Sequence, residues 1–390
     1  MPYRLNSIKL KGYRPFRDLE AAFGPLVVIV GANGTGKSSL IEFLRFLRDA
    51  VHSEIPPEVV SGSVGQNLFH AGGPERFWWS VEIDTGKQIP IRYQGELVGP
   101  LSKKRVSREL VKTKRPLGEN DDEPYVFMDV QNREGVVRNA REEPERQEIQ
   151  LQRPNQLALS SMTNPKLSTL YSLRDYIRGW RFYNAFDINN RAIRKPTLTE
   201  PDPVLHEDAS NLSSVLFNLM MEHRSAFEKL ERHMQRMVPG FKNLSVVSQG
   251  AKGEVIAQWD EGNVDEKLTL ADLSDGILRL LCWMTPAVQP DPPPLICIDE
   301  PAQGIHPRAL PTLAGLFKKA AKRTQLLLAT HSSYFLSQFG RDSIAVMRKQ
   351  DGEATYTRAS DAASLSSMLQ EFGGDELETM HRSDELEALS

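Results

Sequence analysis

Gly31 to Ser38 reads G-A-N-G-T-G-K-S, and in this spacing each residue type has a chemical use. Glycines let the backbone N–H groups close around phosphates, a lysine reaches the β- and γ-phosphates, and a hydroxyl ligands Mg²⁺. At ordinary glycine usage the pattern arises by chance roughly once in a hundred chains of this length, so it is informative alone. Its flanks agree with it. Leu26 to Val30 reads L-V-V-I-V, a short strand buried on both faces. Ser39 to Ala50 then spaces Leu40, Ile41, Phe43, Leu44 and Leu47 as a helix does. Strand, glycine turn and helix N-terminus together make an anion cradle favoured by the helix dipole. Phosphate contacts are therefore assigned to Gly31, Ala32, Asn33, Gly34, Thr35, Gly36, Lys37, Ser38 and Ser39. ATP and Mg²⁺ are the expected ligands, with Lys37 catalytic and Ser38 on the metal.

Three further motifs follow in fixed order: L-S-D-G at Leu273 to Gly276, Asp299-Glu300, and Thr330-His331. The acidic pair closes the apolar run Leu295 to Ile298. A buried strand would thus deliver two carboxylates at its C-terminal edge, where ligands sit in open α/β sheets. Beside a phosphate loop, Asp299 is expected to hold Mg²⁺ and Glu300 to orient or deprotonate the attacking water. A solvated acidic turn would otherwise account for the pair. Ser274 is a good helix N-cap ahead of Ile277, Leu278, Leu280 and Leu281. The free N–H groups that such a cap leaves also form an anion site, so capping and binding are compatible.

Leu273-Ser274-Asp275-Gly276 with Arg279 resembles the signature of the ABC-class ATPases of the RecF/SMC-like group, the DNA-repair and chromosome-structure proteins. The likeness narrows to predicted single-chain ATPases of the AAA_21 type, without coiled coil or Toprim domain. It extends over Tyr176 to Tyr183, Leu273 to Leu281, Glu300 to Pro307 and Ala329 to Ser333. It implies a P-loop α/β fold: an ATPase head with a parallel core sheet, an antiparallel β subdomain and a helical lobe. In the family, the signature residues Ser274, Asp275 and Gly276 would meet the γ-phosphate held by a second subunit. His331 would contact the γ-phosphate, and the loop holding Gln303 and His306 would line the dimer interface. Transporter subunits carry a second glycine where this chain has Asp275, and one departure from the relatives stands out, Ala302 where they carry a polar or acidic residue. The resemblance also implies a glutamine that senses the metal. Gln156 is the candidate and Gln131 its competitor. Arg14 and Arg17 fit either a nucleotide contact or a solvated strand end.

The elements that must position these residues can be read more coarsely. At 390 residues the chain has ample length for a large core. A net charge of −3 commits it to no polyanion, and the two cysteines imply no disulfide framework. Neither a signal peptide nor a membrane-length apolar run occurs, so a cytoplasmic location is expected and no membrane partner. Residues 1–150 read as the first half of the head, with alternating strands near Phe77 to Ile83 and Ile89 to Leu97. Ser102 to Glu148 reads as charged and loop-rich. Residues 151–242 read as a helical lobe, with helices over Pro165 to Trp180 and Leu212 to Met237. Residues 243–390 read as the second half, entered by strands at Leu244 to Ser248 and Glu254 to Trp259, with an acidic tail after Gly373. No sustained heptads occur.

Lys103, Lys104, Arg105, Arg108, Lys112, Lys114 and Arg115 form a basic cluster. It could follow a nucleic-acid backbone, or be a solvated face neutralised by the acidic run after it. The motifs point to an ATP-gated switch that closes as a homodimer, or a higher oligomer, and controls a separately encoded nuclease or toxin in DNA maintenance or anti-phage defence. The alternative is a nucleotide-loaded scaffold that hydrolyses weakly and holds that effector inactive. Too little chain follows His331 for a Toprim domain of its own.

Overall fold

The computed structural model describes residues 3–52, 55, 68–86, 89–99, 104–118, 121–139, 146–184, 186, 191–249, 253–262, 266–350 and 352–361. Lys103, Glu119, the acidic residues from Glu142 to Glu145 and the tail after Gly373 lie outside them. The chain divides into two compact units, one built from residues 1–180 with 341–368 and the other chiefly from 181–340.

The first unit opens with β1 (Arg4–Tyr13), β2 (Phe16–Ala22) and β3 (Leu26–Val30). All five residues of β3 are buried, as the continuous apolar run requires. The glycine loop follows, and then α1 (Lys37–His52). Next come β4 (Arg76–Asp84), β5 (Ile91–Val98), β6 (Arg105–Thr113), β7 (Val126–Gln131), β8 (Glu134–Val137) and β9 (Gln147–Gln150). These join β1 and β2 in one antiparallel eight-stranded sheet, ordered β2-β1-β4-β5-β6-β7-β8-β9. The loop-rich reading of Ser102 to Glu148 is therefore corrected. Charges on the solvent face of an antiparallel sheet mask the alternation that a sequence pattern relies on. Trp79 is buried, and its ring lies 6.2 Å from Phe46 of α1 and 5.2 Å from Phe77, so one aromatic cluster fixes α1 on the sheet. Burying each such ring stabilises by about 2–3 kcal/mol. The helix α2 (Ser168–Arg178) also packs on α1.

The second unit begins with β10 (Arg181–Tyr183) and β11 (Thr197–Leu198), followed by the helices α3 (Leu212–Glu222) and α4 (Arg224–Met237). A hairpin of β12 (Phe241–Ser248) and β13 (Glu254–Glu261), with β14 (Leu268–Thr269) on β13, supports α3. Then come α5 (Asp275–Val288), β15 (Leu295–Asp299), α6 (Leu310–Ala320), β16 (Gln325–Ala329) and α7 (Ser333–Leu336). Strands β10, β15 and β16 pair in parallel, Tyr183 beside Ile298 and Asp299 beside Ala329. The chain returns to the first unit through β17 (Ile344–Gln350), parallel to β3, and β18 (Glu353–Arg358), antiparallel to β17. Among the described residues no helix is long and apolar enough to cross a membrane.

Candidate functional site

In the first unit the phosphate loop sits where the chain leaves β3 for α1. Gly31 has φ +153°, and a β-carbon there would lie 2.2 Å from the Met347 carbonyl oxygen of β17. Gly36 has φ +105°, with the Phe16 ring 2.7 Å from where its β-carbon would be. Both close approaches exclude a side chain. Lys37 Nζ donates to the carbonyls of Gly31 at 2.5 Å and Ala32 at 2.9 Å, which bends the ammonium back over the loop. The Thr35 hydroxyl donates to Ala32 O at 2.9 Å. Ala32, Asn33, Gly34 and Ser38 are exposed or half-buried, as is Ser39. Thus the crest of the loop is accessible to solvent. Gly31→Ala is expected to abolish binding of a fluorescent ATP analogue and to lower the melting midpoint. Its β-carbon meets backbone, which cannot swing aside as a flexible side chain would.

Arg14 and Arg17 are committed to carboxylates. Arg14 pairs with Glu42 of α1, and Arg17 Nη1 lies 2.8 Å from Glu353 Oε1. Two members of the basic cluster around β6 are paired with carboxylates of other strands of the same sheet. Arg108 pairs with Asp129 at 3.2 Å and Lys114 with Glu82 at 2.7 Å. Lys104 is buried.

Gln131 ends β7, exposed, in register with Glu134. Gln156 stands just before the short 3₁₀ turn Ala158–Ser161, its Nε2 3.4 Å from Ser160 Oγ. That turn hangs on Glu109 of β6, which sequence reasoning missed. The Glu109 carboxylate is fully buried and accepts from the Leu159 N–H at 2.9 Å, the Ala158 N–H and the Tyr93 hydroxyl at 2.8 Å. Burial pushes its carboxyl up to about 7, against the lowering effect of those three donors. Because the folded-state value is the raised one, the contribution to stability is full below pH 4.5 and disappears as pH rises to about 7. Melting midpoints from pH 5 to 8 should therefore fall more steeply for the natural protein than for Glu109→Gln. The difference should amount to a few kcal/mol, since each tenfold change in proton affinity is worth roughly 1.4 kcal/mol.

In the second unit β15 ends at Asp299, and the chain turns sharply at Glu300, a non-glycine residue at φ +55°. Such a conformation costs on the order of 1 kcal/mol or more and gathers at functional sites. The Glu300 N–H donates to Ala329 O at 2.8 Å, tying the turn to the end of β16. From there Thr330 places its hydroxyl 3.5 Å from Glu300 Oε2, and His331 Nε2 lies 3.7 Å from Glu300 Oε1. Parallel register thus brings together two motifs separated by 30 residues. The loop beyond is closed by Gln303 N–H to Glu300 O at 3.1 Å, and His306 accepts from the Arg308 N–H at 3.2 Å.

Ser274 is the N-cap of α5 in extended conformation, exposed, with no side-chain cap bond. Its hydroxyl is therefore not spent on the first turn of the helix. Gly276 faces Gly304 of the loop after Glu300, whose oxygen would lie 3.2 Å from a β-carbon on Gly276. A second missed residue fixes this turn. Arg194 Nη1 donates to the carbonyls of Leu270 at 3.1 Å, Ala271 at 3.0 Å and Leu273 at 2.8 Å, while Nη2 lies 2.7 Å from Asp275 Oδ1. No local signal marks Arg194, which stands 81 residues before its carboxylate partner.

Among the described residues no three histidine, cysteine or acidic side chains gather as a metal cage.

A family model described as "AAA domain, putative AbiEii toxin, Type IV TA system" (AAA_21) matches residues 26–337. Among solved structures, an SMC head bound to the C-winged helix domain of ScpA is similar at TM-score 0.58 and 14% identity. The match covers 90% of this chain and 97% of that one. An Smc head with an extended coiled coil, bound to the C-terminal domain of ScpA from Pyrococcus furiosus, is similar at TM-score 0.55 and 11% identity. The match covers 94% of this chain and 100% of that one. At these identities the likeness is one of fold. No curated protein matches in sequence.

Proposed function

The chain belongs to the AAA_21 family of AAA-domain proteins, with the fold of SMC ATPase heads, and from that premise we propose that it binds and hydrolyses ATP as a switch between open and closed states of a homodimer. The observation that carries this reading is Glu300, held at φ +55° with Thr330 and His331 against its carboxylate. Strained backbone gathers at functional sites, and a carboxylate at the C-terminal edge of a buried parallel strand is suited to activating a water.

In this reading Lys37 and the loop N–H groups of Gly31 to Ser39 take the phosphates of ATP. Ser38 and Asp299 would ligand Mg²⁺, which supplies charge neutralisation at the phosphates. Gln156 remains the proposed metal sensor. Glu300 orients a water and accepts its proton as the oxygen bonds to the γ-phosphorus. The bond from that phosphorus to the β–γ bridging oxygen breaks, and ADP leaves as the other product. His331 steadies the transferring phosphoryl group. Ser274, Asp275 and Gly276 serve the γ-phosphate held by the second copy, so closure needs both subunits and turnover is slow. Closure is the two-state element that ATP biases.

The family description names a toxin and a toxin–antitoxin system, and the similar SMC heads are bound to domains of ScpA. On that ground we propose a separately encoded effector, a nuclease or toxin, as the partner in anti-phage defence or DNA maintenance, in the cytoplasm. Solution molar mass of Glu300→Gln, with and without ATP and Mg²⁺, tests the switch. A dimer formed only with ATP supports it. A dimer regardless of nucleotide rejects it in favour of the scaffold.

A further inference from the structure

A cluster of cations lies in the second unit, away from the motifs. Lys229, Arg232 and Arg236 recur at helical spacing on α4, and Lys319, Lys322 and Arg323 crowd the end of α6 and the turn after it. All but Lys229 are exposed, and Lys229 is half-buried. Both helices pack on α5, which brings the two groups near one another. Burial first, then the charges of Arg323, Lys319 and Arg232, lowers the Lys229 ammonium. Between them His233 is buried, its Nδ1 without a hydrogen-bond partner, and burial followed by Lys319, Arg236, Lys229 and Arg232 pushes its imidazole down to about 4. Among the described residues the only carboxylate paired within the cluster is Glu228, 3.9 Å from Arg232 and already engaged by Arg224 at 3.1 Å. Arg323 is also held by the main-chain carbonyls of Ala287, Gln289 and Pro290, whereas at β6 Arg108 and Lys114 are met by the carboxylates of Asp129 and Glu82.

The cluster cannot serve the γ-phosphate. Lys319, Lys322 and Arg323 precede Gln325, the first residue of β16, whereas Thr330 and His331 follow its last. Five strand residues put about 16 Å between the two ends. Repulsion left uncompensated in this way costs stability unless a polyanion relieves it. We propose that this face of α4 and α6 binds the phosphate backbone of a nucleic acid. Cations one helical turn apart, about 5.4 Å, match a chain of regularly spaced phosphates. A protein partner fits less well. Protein interfaces have an apolar core, and none of the exposed large apolar side chains, Leu117, Leu198, Met221 and Tyr334, belongs to α4 or α6. Nucleic-acid interfaces are polar and strongly positive.

The test is fluorescence anisotropy of a labelled duplex DNA of about 30 base pairs, titrated with the full chain across a salt series. The triple variant Lys229→Glu, Arg236→Glu, Lys322→Glu should bind at least tenfold more weakly at low salt. Its slope of log affinity against log salt should be shallower by roughly 2–3, about 0.9 for each phosphate no longer neutralised. Its melting midpoint should not fall, since the substitutions relieve repulsion within the cluster, and its basal ATP turnover should stay unchanged, which separates this result from any failure of the switch. A control triple variant, Arg105→Glu, Arg108→Glu, Lys112→Glu, should keep the natural affinity. Equal binding by the cluster variant and the natural protein would overturn the proposal. So would failure of the natural protein to bind DNA at low salt, or loss of binding in the control alone.

Discussion

Glu300→Gln should lower ATP turnover by about 10²- to 10³-fold while leaving ATP affinity within a few-fold of the natural protein. A positioned general base contributes roughly that much, and glutamine keeps the size and hydrogen-bonding reach of the side chain without its basicity. Folding should hardly change. The cost of φ +55° at this position falls equally on glutamate and glutamine, because both carry a β-carbon. The Glu300 N–H bond to Ala329 O is a main-chain bond and survives the substitution. What changes is the carboxylate beside Thr330 and His331, 3.5 and 3.7 Å away. With hydrolysis stalled and γ-phosphate contacts intact, ATP should accumulate in the closed dimer, seen by light scattering as a doubling of mass. Natural turnover by the variant would remove Glu300 from the chemistry. Lys37→Ala is the companion control, expected to lose ATP binding itself because Lys37 is the ammonium of the phosphate loop.

What could be read in the sequence depended on how local the signal was. The strands Leu26–Val30 and Leu295–Asp299 are uninterrupted apolar runs, and α1 carries a regular apolar stripe, so their burial follows from composition over a few residues. Ser274 stands at the N-cap position of α5, where a small hydroxyl residue before an apolar periodic run predicts the helix start, but its side chain makes no cap bond. Strands β6 to β9 escaped because solvent-facing charges broke their alternation; Arg108 and Lys114 find their carboxylates on other strands of the sheet, not nearby in sequence. The same blindness hid Glu109, whose partners Leu159 and Tyr93 stand 50 and 16 residues away. It also hid the cation cluster of α4 and α6, whose members are ordinary at each point of the chain and unusual only when the fold gathers them. Positive φ at Glu300 was invisible for a related reason. The residue type argues against that conformation, and the turn that adopts it is tied to the end of β16, 29 residues on, by the Glu300 N–H bond to Ala329 O.

Arg194→Ala should weaken ATP-dependent dimerisation by about 10- to 100-fold while sparing ATP binding to the open subunit. Arg194 is a positioning residue: on the proposed reading it acts on the nucleotide only through the turn Leu270 to Asp275. Two effects could carry the loss, and their sizes differ. The ion pair with Asp275 involves a carboxylate whose side chain is 61% exposed, so solvent screens it to at most about 1 kcal/mol. The Arg194 side chain is 20% exposed, and its guanidinium serves three main-chain carbonyls at 2.8–3.1 Å. Hydrogen bonds to a charged donor contribute about 1.5–3 kcal/mol, so the carbonyl clamp should dominate. Arg194→Lys should then rescue little, since an ammonium cannot span the fork that a planar guanidinium does. Asp275→Asn in the Arg194→Ala background should also rescue little. If charge at the helix N-terminus were the controlling effect instead, removing the carboxylate would restore dimerisation almost fully. These two variants therefore decide between shape and charge at the signature turn. A dimerisation constant for Arg194→Ala equal to that of the natural protein would show that the turn keeps its form without the clamp.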